Sequence, residues 1–286
     1  MFKEPKYGWY LPDNEERMIS LLDNCRFSMP GTQGSGQRHL AMACANGNNA
    51  VIDIGGHIGC WSKDFVNHFN KTIIFEPIYE HYECLLKNLE KVPKEKYNAF
   101  NIGIGDKNET AKIFHANFNT GQSRVINSDN KLFNYDTCKK DFIESALSYN
   151  NWGGTEKAIE LMRLDSFFEK NNHLNTRINL IKIDVEGYEL NVLSGACEII
   201  SNNMPILIIE ILDGGKFEDG KKVFKFLKNK LNYSQVTNIG PIKRKSALSR
   251  WNKRQKDFIF CHNSMLKESC KKYDNFFKYS AGNFGF

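Results

Sequence analysis

Residues 50–59 read Ala-Val-Ile-Asp-Ile-Gly-Gly-His-Ile-Gly, an apolar run that passes directly into a glycine-rich loop. The first five residues are mostly β-branched and apolar, which is typical of a buried parallel strand. The next segment, 60–69, has the pattern of a helix. A strand, a glycine loop and a helix in this order form the unit at which open α/β sheets bind their ligands. This stretch therefore decides the fold class.

The same alternation of strands and helices continues on both sides of this unit. We predict further strands at 72–76, 98–104, 109–116, 179–184, 204–211 and 257–262. We predict helices at 34–46, 60–69, 78–92, 189–201 and 220–231. Strands that alternate with helices of this length form βαβ units, whose parallel sheet is covered on both faces. The fold class predicted is a doubly wound α/β sandwich.

The chain of 286 residues divides into three parts by composition. Residues 1–48 are predicted to be an N-terminal leader and helix, residues 49–215 the core, and residues 216–286 a basic part that completes the sheet. Within the core, residues 117–155 are rich in Asn, Ser and Gly. A connection of that length is either an insertion that forms part of a binding site or a poorly ordered segment.

The charge of the chain is concentrated near its C-terminus. Residues 216–286 hold 17 Lys and Arg against 5 Asp and Glu, whereas the whole chain has a net charge of +6. This asymmetry indicates either a polyanionic partner or lysines on solvated helix faces. The N-terminus lacks the apolar core of a signal peptide, and no apolar stretch reaches the roughly 20 residues of a membrane span. We expect a soluble, intracellular (cytoplasmic) protein, and its oligomeric state is left open.

The glycine spacing distinguishes two classes of cofactor. Dinucleotide sites carry the pattern GxGxxG, whereas Gly55, Gly56 and Gly59 follow the pattern GGxxG. Asp53 stands at the end of the strand, where a carboxylate would repel a pyrophosphate but attract a ligand with an ammonium group. S-adenosylmethionine carries an ammonium and a sulfonium and has no phosphate. The loop therefore favours this methyl donor over NAD.

Further along, Glu76 lies 21 positions after Gly55, a spacing that suits a carboxylate accepting hydrogen bonds from both ribose hydroxyls. The alternative for Glu76 is a carboxylate at a helix start before Pro77. The adenine is expected at the end of the third strand, near Ile102 and Gly103, with Asp106 as a partner for its amino group.

Five segments together resemble the FkbM family of methyltransferases. They are VIDIGGHIG (51–59), FEP (75–77), LDSFFEKNN (164–172), LIKIDVEGYELNVLSGA (180–196) and PILIIEI (205–211). The resemblance extends over about residues 50–212, and IDVEGYE is its most specific piece. It implies a class I Rossmann-like methyltransferase fold and methyl transfer from S-adenosylmethionine, usually to a hydroxyl oxygen. Family members often carry an alanine-asparagine pair where this chain has Gly56-His57. His57 is thus interpreted as a hydrogen-bond donor, a general base or a structural residue.

Three carboxylates are expected to converge at the mouth of the sheet. Asp184 and Glu186 follow one apolar strand, and Glu210 ends its neighbour. A carboxylate at the end of a buried strand is costly unless it is paired or used. Asp184 or Glu186 would act as the base for an acceptor hydroxyl, or all three would bind Mg²⁺. Helix capping and salt bridges are the alternative without a chemical role.

Three further residues are assigned to the acceptor side of the site. Trp61 follows the glycine loop and is interpreted as a wall of the cleft or as core. Arg124 belongs to the polar loop 119–124, which lies near the substrate or is merely solvated. Tyr188 accompanies the carboxylates of the 184–189 segment.

The leading hypothesis is O-methylation of a small-molecule or glycan acceptor. The first alternative is a methyltransferase that acts on nucleic acid through the basic segment 241–256. The second is a non-catalytic module that binds S-adenosylmethionine. Acceptor choice depends on loops that a single sequence does not decode.

Overall fold

The computed structural model describes residues 8–13, 15, 19, 36–116, 121, 123–126, 154–211, 218–236 and 257–280. The helices are α1 (Gly36–Cys44), α2 (Ser62–His68), α3 (Tyr79–Asn88), α4 (Leu164–Lys170), α5 (Glu189–Ser194), α6 (Cys197–Asn203), α7 (Glu218–Lys230) and α8 (Leu266–Ser280). The strands are β1 (Ala50–Ile54), β2 (Lys71–Phe75), β3 (Tyr97–Phe100), β4 (Gly103–Ile104), β5 (Glu109–Ala116), β6 (Arg124–Ile126), β7 (Gly154–Met162), β8 (Ile178–Ile183), β9 (Ile206–Glu210), β10 (Tyr233–Gln235) and β11 (Asp257–His262).

A seven-stranded sheet forms the centre, in the order β10-β11-β9-β8-β1-β2-β3. Strands β9, β8, β1, β2 and β3 are parallel, and β11 is antiparallel to both of its neighbours. This arrangement confirms the predicted doubly wound α/β sandwich with a mostly parallel sheet. The strand order reverses between β1 and β8, and such a switch point opens a crevice beyond the carboxyl ends of the strands.

Side chains alternate between the two faces of this sheet, and both faces are buried. Ile52 and Ile54 of β1 belong to one core cluster, whereas Val51 belongs to the cluster on the other face. The first cluster includes stacked and edge-to-face phenylalanine rings from β2, β3 and α4. The strands therefore consist of nearly continuous apolar residues, as in parallel sheets covered by helices.

A second sheet of four strands, in the order β4-β7-β5-β6, was not predicted. The single strand predicted over 98–104 is wrong, because β3 and β4 belong to different sheets. Between them, the Asn101 side chain donates hydrogen bonds to the carbonyls of Glu76 and Pro77, which turns the chain out of the main sheet. The segment 117–155 contributes β6 and the start of β7, and residues 127–153 lie outside the described residues.

The helix predicted over 189–201 is also wrong, since it is broken into α5 and α6. A contact with a distant part of the chain requires glycine at the break. A Cβ on Gly195 would lie 1.9 Å from the Gly105 carbonyl oxygen. The carboxylate of Asp165 accepts hydrogen bonds from amides in the first turn of α6, an interaction that stabilises a helix start. Both partners are distant in sequence, so the local pattern does not reveal them.

The C-terminal part adds β10 and β11 to the sheet and places α7 and α8 against the core. Helices α4 and α8 and strand β10 were not predicted. The basic segment 241–256 lies outside the described residues. Among the helices of the described ranges, none is both long enough and apolar enough to cross a membrane.

The phenylalanine cluster gives a first test of the core. Phe167 is buried, and its ring centroid lies 4.9 Å from that of Phe75 and 4.8 Å from that of Phe100. We expect Phe167→Ala to lower the free energy of unfolding by about 3–5 kcal/mol, because it leaves a cavity among rings. Urea denaturation measures the loss. Phe114→Ala is the control, since Phe114 is exposed and should cost less than about 1 kcal/mol.

Candidate active site

A cleft opens at the carboxyl ends of β1, β2, β8 and β9, with a cavity volume of about 320 Å³. The loop after β1, the loop after β2 and the segment after β8 form three of its walls. Residues of the second sheet, among them Ile113, Val125 and Leu161, close a further side. Most of the predicted site residues therefore lie at the switch point of the sheet.

The glycine loop, residues 53–59, lies directly on the ends of two neighbouring strands. Gly55 has a φ of +79°, and a Cβ there would lie 1.9 Å from the Asp184 carbonyl oxygen. A Cβ on Gly56 would lie 2.5 Å from Cγ2 of Ile74. The sequence alone suggests that these glycines allow the close approach of a ligand. In the structure, protein atoms occupy the space that a Cβ would need.

The amides of this loop are directed at the protein. The N–H groups of Gly55 and Gly56 both donate to the carbonyl of Phe75 at 3.0 Å. The His57 N–H donates to Oε2 of Glu76 at 2.8 Å, and the Gly59 N–H donates to the Gly56 carbonyl. A phosphate site needs several amides aimed at one anion. These four amides are already engaged.

Lys182 is the central residue of the site that sequence reasoning missed. It is 2% exposed, and its Nζ donates to the Gly55 carbonyl at 2.6 Å. The same Nζ lies 3.2 Å from Oδ1 of Asp53 and 3.4 Å from Oδ2 of Asp184. Burial alone would lower the pKa of Lys182, but the two carboxylates outweigh it and raise the pKa. A lysine inside the apolar strand β8 was the available signal.

Asp53 lies behind the glycine loop and is 0% exposed. Oδ2 accepts a hydrogen bond from the Ser62 hydroxyl at 2.6 Å, and Oδ1 forms an ion pair with Lys182 without hydrogen-bond alignment. Burial raises the pKa of Asp53, and Lys182 and Ser62 oppose that effect. Contact between Asp53 and a cofactor ammonium stays a prediction. In the structure, Asp53 holds Lys182 and the first residue of α2, Ser62.

Glu76 holds the loop from the side of β2. Oε1 accepts the Ile78 N–H at 2.9 Å, while Oε2 accepts the His57 N–H. Glu76 is among the residues that line the cleft, and its contact with a ribose stays a prediction. Burial raises the pKa of Glu76, and the backbone hydrogen bonds counteract this shift.

A row of three histidines extends from the glycine loop to β5. The ring of His57 lies 4.2 Å from that of His81, which lies 5.4 Å from that of His115. Burial, followed by the proximity of His81, lowers the pKa of His57 to about 3. An imidazole with so low a pKa is a weak base at neutral pH, which supports the structural interpretation of His57. Its φ of +49° adds local backbone strain.

The three predicted carboxylates do converge. Asp184, Glu186 and Glu210 offer oxygens that all lie within 4.8 Å of one another. The side chains of Asp184 and Glu210 are hydrogen-bonded to each other. Burial and the Asp184 charge raise the pKa of Glu210, whereas burial at Asp184 is outweighed by Lys182, which lowers the pKa of Asp184. These opposite shifts favour the protonated form of Glu210 and the ionised form of Asp184.

Glu186 connects this cluster to the second sheet. Its φ of +54° is strained for a residue with a side chain, and its carboxylate lies 3.8 Å from Nη2 of Arg124 on β6. Gly121 and Ser123 of the predicted polar loop line the cleft. The remaining residues of 119–124, apart from Arg124, lie outside the described residues. Gly121 and Ser123 therefore lie at the cleft, and their proximity to an acceptor stays a prediction.

The other predicted residues are split between the cleft and its support. Trp61 lines the cleft. Cζ of Arg38 lies 5.5 Å from the ring centroid of Trp61, and Nζ of Lys182 lies 5.8 Å from it. Tyr188 and Gly103 also line it.

Asp106 and Ile102 are not among the cleft residues in the described ranges. Asp106 instead accepts hydrogen bonds from Asn191 and Tyr188, which fixes α5. Contact of either residue with adenine stays a prediction.

Comparison with known proteins finds one matching family model, two similar relatives and a similar solved structure. Residues 53–234 match the family model described as the methyltransferase FkbM domain. Methyltransferase 1 of Beauveria bassiana (strain ARSEF 2860) is 23% identical over 180 residues, 61% of this chain and 70% of that protein. Methyltransferase sdnD of Sordaria araneosa is 29% identical over 162 residues, 53% of this chain and 61% of that protein.

A crystal structure of methyltransferase FkbM from Methylobacillus flagellatus KT is 14% identical to this chain, with a TM-score of 0.43. The match covers 75% of this chain and 44% of that chain. The present chain thus spans less than half the length of that structure and less than two thirds of the Sordaria relative.

The buried lysine gives a test of the site. Lys182→Met should lower the free energy of unfolding by about 3–5 kcal/mol, because it leaves Asp53 buried without its partner charge. Urea denaturation measures this loss, and Lys225→Met, at an exposed lysine of α7, is the control. Adding Asp53→Asn should restore part of the stability. A double variant no more stable than Lys182→Met would contradict the ion pair.

Glu189 gives a test of pH dependence. Burial raises the pKa of Glu189 from 4.5 to about 7, although the Gly187 N–H donates to its carboxylate. The folded state therefore keeps a proton that the unfolded chain releases, so stability should fall as pH rises from 4.5 to 7. Glu189→Gln should remove roughly 3 kcal/mol of this fall. Denaturation at several pH values measures it, with Glu198→Gln on the exposed side of α6 as the control.

Proposed function

The chain belongs to the FkbM family of methyltransferases, and from that premise we propose that it transfers the methyl group of S-adenosylmethionine to a hydroxyl oxygen of a small-molecule or glycan acceptor. The observation that carries this proposal is the carboxylate cluster of Asp184, Glu186 and Glu210, which shares one cleft with the glycine loop. A donor site and a proton acceptor within one cavity are what hydroxyl methylation requires.

The donor set of the cleft suits S-adenosylmethionine better than a dinucleotide. The amides of Gly55, Gly56 and His57 are bonded to protein acceptors and are not offered to a pyrophosphate. Carboxylates at Glu76 and Asp184 line the same cavity and favour a cationic ligand. Glu76 would hold the ribose hydroxyls, and the glycine loop would face the amino-acid part. When bound, S-adenosylmethionine supplies an electrophilic methyl group.

The residues of the chain would then position the acceptor and receive its proton. Lys182 keeps Asp184 ionised, and Glu210 retains the proton that it shares with Asp184. Glu186 lines the cleft beside them, and its backbone is fixed in a strained conformation. A carboxylate of this cluster would accept the hydroxyl proton as the oxygen–methyl bond forms and the carbon–sulfur bond breaks. The second sheet would limit the access of water.

A Mg²⁺ ion is the second candidate for the role of the cluster. Three carboxylate oxygens within 4.8 Å form a hard-ligand set that magnesium accepts, and a metal could orient an acceptor with two hydroxyls. Without a metal, a proton shared by Asp184 and Glu210 would hold these two carboxyl groups close to each other. Turnover that survives chelation by EDTA would favour the proton, and turnover that needs added Mg²⁺ would favour the metal.

Nucleic acid as the acceptor depends on the basic segment 241–256, which lies outside the described residues, so we place it second to a small-molecule or glycan acceptor. Salt-dependent RNA or DNA binding by the purified protein would reverse that order. Absence of S-adenosylmethionine binding in calorimetry would instead contradict the donor that we propose. Mass spectrometry of cell extract incubated with labelled methyl donor identifies the acceptor.

Glu186 gives the test of the catalytic proposal. Glu186→Gln should lower turnover by about 10²–10⁴-fold, the range ascribed to one general acid–base group, because an amide does not accept the hydroxyl proton. Affinity for S-adenosylmethionine in calorimetry should stay near that of the wild type. Glu169→Gln, on the exposed end of α4, is the control for the loss of one charge. Wild-type turnover in Glu186→Gln would show that Glu186 has no such role.

A further inference from the structure

The N-terminal leader packs onto the back of the glycine loop. Its described residues, 8–13, 15 and 19, are here called the leader segment. Trp9 is 3% exposed and Leu11 is 2% exposed. Both belong to a small core cluster with Ile58 of the loop, and the other members of the cluster are Cys60 and Cys84. An apolar contact of this kind keeps the segment on the domain.

One side chain joins the leader segment to the loop by hydrogen bonds. Asn88, at the end of α3, accepts the Tyr10 N–H at 2.8 Å and donates to the Tyr10 carbonyl at 3.0 Å. The same amide nitrogen donates to the Ile58 carbonyl at 2.9 Å. Lys63, in the first turn of α2, lies 4.4 Å from the ring centroid of Trp9. Asn88 is therefore a clamp between the segment and the loop.

The leader segment also brings a carboxylate to the cleft. Glu15 is 1% exposed and lines the cavity together with Cys60 and Trp61, which follow the glycine loop. Asp53, by contrast, is withdrawn behind the loop and engaged by Lys182 and Ser62. Glu15 is thus a buried acidic residue of the leader segment that lines the same cavity as Glu76 and Asp184.

We infer that the leader segment completes the cofactor site: Asn88 positions the glycine loop, and the Glu15 carboxylate binds the α-ammonium of the amino-acid part of the cofactor. This inference rests on the proposed function, since it needs a ligand with that ammonium. A charge-assisted hydrogen bond at a buried site makes a large difference to affinity. The segment thus acts as a wall of the site.

Two nucleosides separate the roles of Glu15 and Asn88. S-adenosylhomocysteine carries the α-ammonium, and methylthioadenosine lacks it. Glu15→Gln should weaken binding of the first by about tenfold and leave binding of the second unchanged. Leu11→Ala and Asn88→Asp should weaken both, because the loop itself is released. Calorimetry on the full chain measures each affinity.

Hydrogen exchange tests the clamp without any ligand. Amides of residues 55–61 should exchange faster in Leu11→Ala and Asn88→Asp than in the wild type. Leu231→Ala is the matched control, since it removes another buried leucine, which directly follows α7. It should leave exchange at 55–61 unchanged.

Unchanged loop exchange in both leader variants would overturn the clamp, and equal affinity of wild type and Glu15→Gln for S-adenosylhomocysteine would overturn the role of Glu15. If the wild type binds neither nucleoside, the proposed function and the role of Glu15 both fall. The exchange measurement still decides whether Asn88 positions the loop.

Discussion

The site depends on one buried cation. The ammonium of Lys182 holds the Gly55 carbonyl, the buried Asp53 and the cleft-side Asp184 around a single point between β1 and β8. Desolvating three charged groups is costly, and their arrangement repays that cost only when all three are present. The same contact therefore fixes the glycine loop, anchors the start of α2 through Asp53 and Ser62, and keeps one carboxylate of the cleft ionised.

Short-range patterns predicted the strand-loop-helix unit at 50–69 and the convergence of the carboxylates at Asp184 and Glu210. Both follow from apolar periodicity and from parallel strands ending at one edge. Sequence did not reveal the second sheet, the break at Gly195 or the role of Lys182. Each of these depends on a partner far away in the chain, such as the Gly105 carbonyl that faces Gly195. Local propensity carries no information about such partners.

Two carboxyl groups of the cleft, Asp184 and Glu210, differ in charge because their surroundings differ, although their residue types are alike. Asp184 and Glu210 are both carboxyl groups, but only the first has an ammonium beside it. A pair of like groups whose environments push their pKa values apart can hold one proton and one charge in the same small volume. The neutral imidazoles of His57 and His81 add polar bulk on the other side without adding positive charge.

The Asn88 clamp also has a consequence for how the molecule is assembled. Tyr10 and Asn88 are separated by 78 residues, so the leader segment leaves the ribosome long before its docking surface exists. Closing a loop of that size costs chain entropy that is recovered only after β1, β2 and α3 have formed. The leader segment is thus synthesised before the residues that it contacts, and it reaches its native place only after they have formed their own structure.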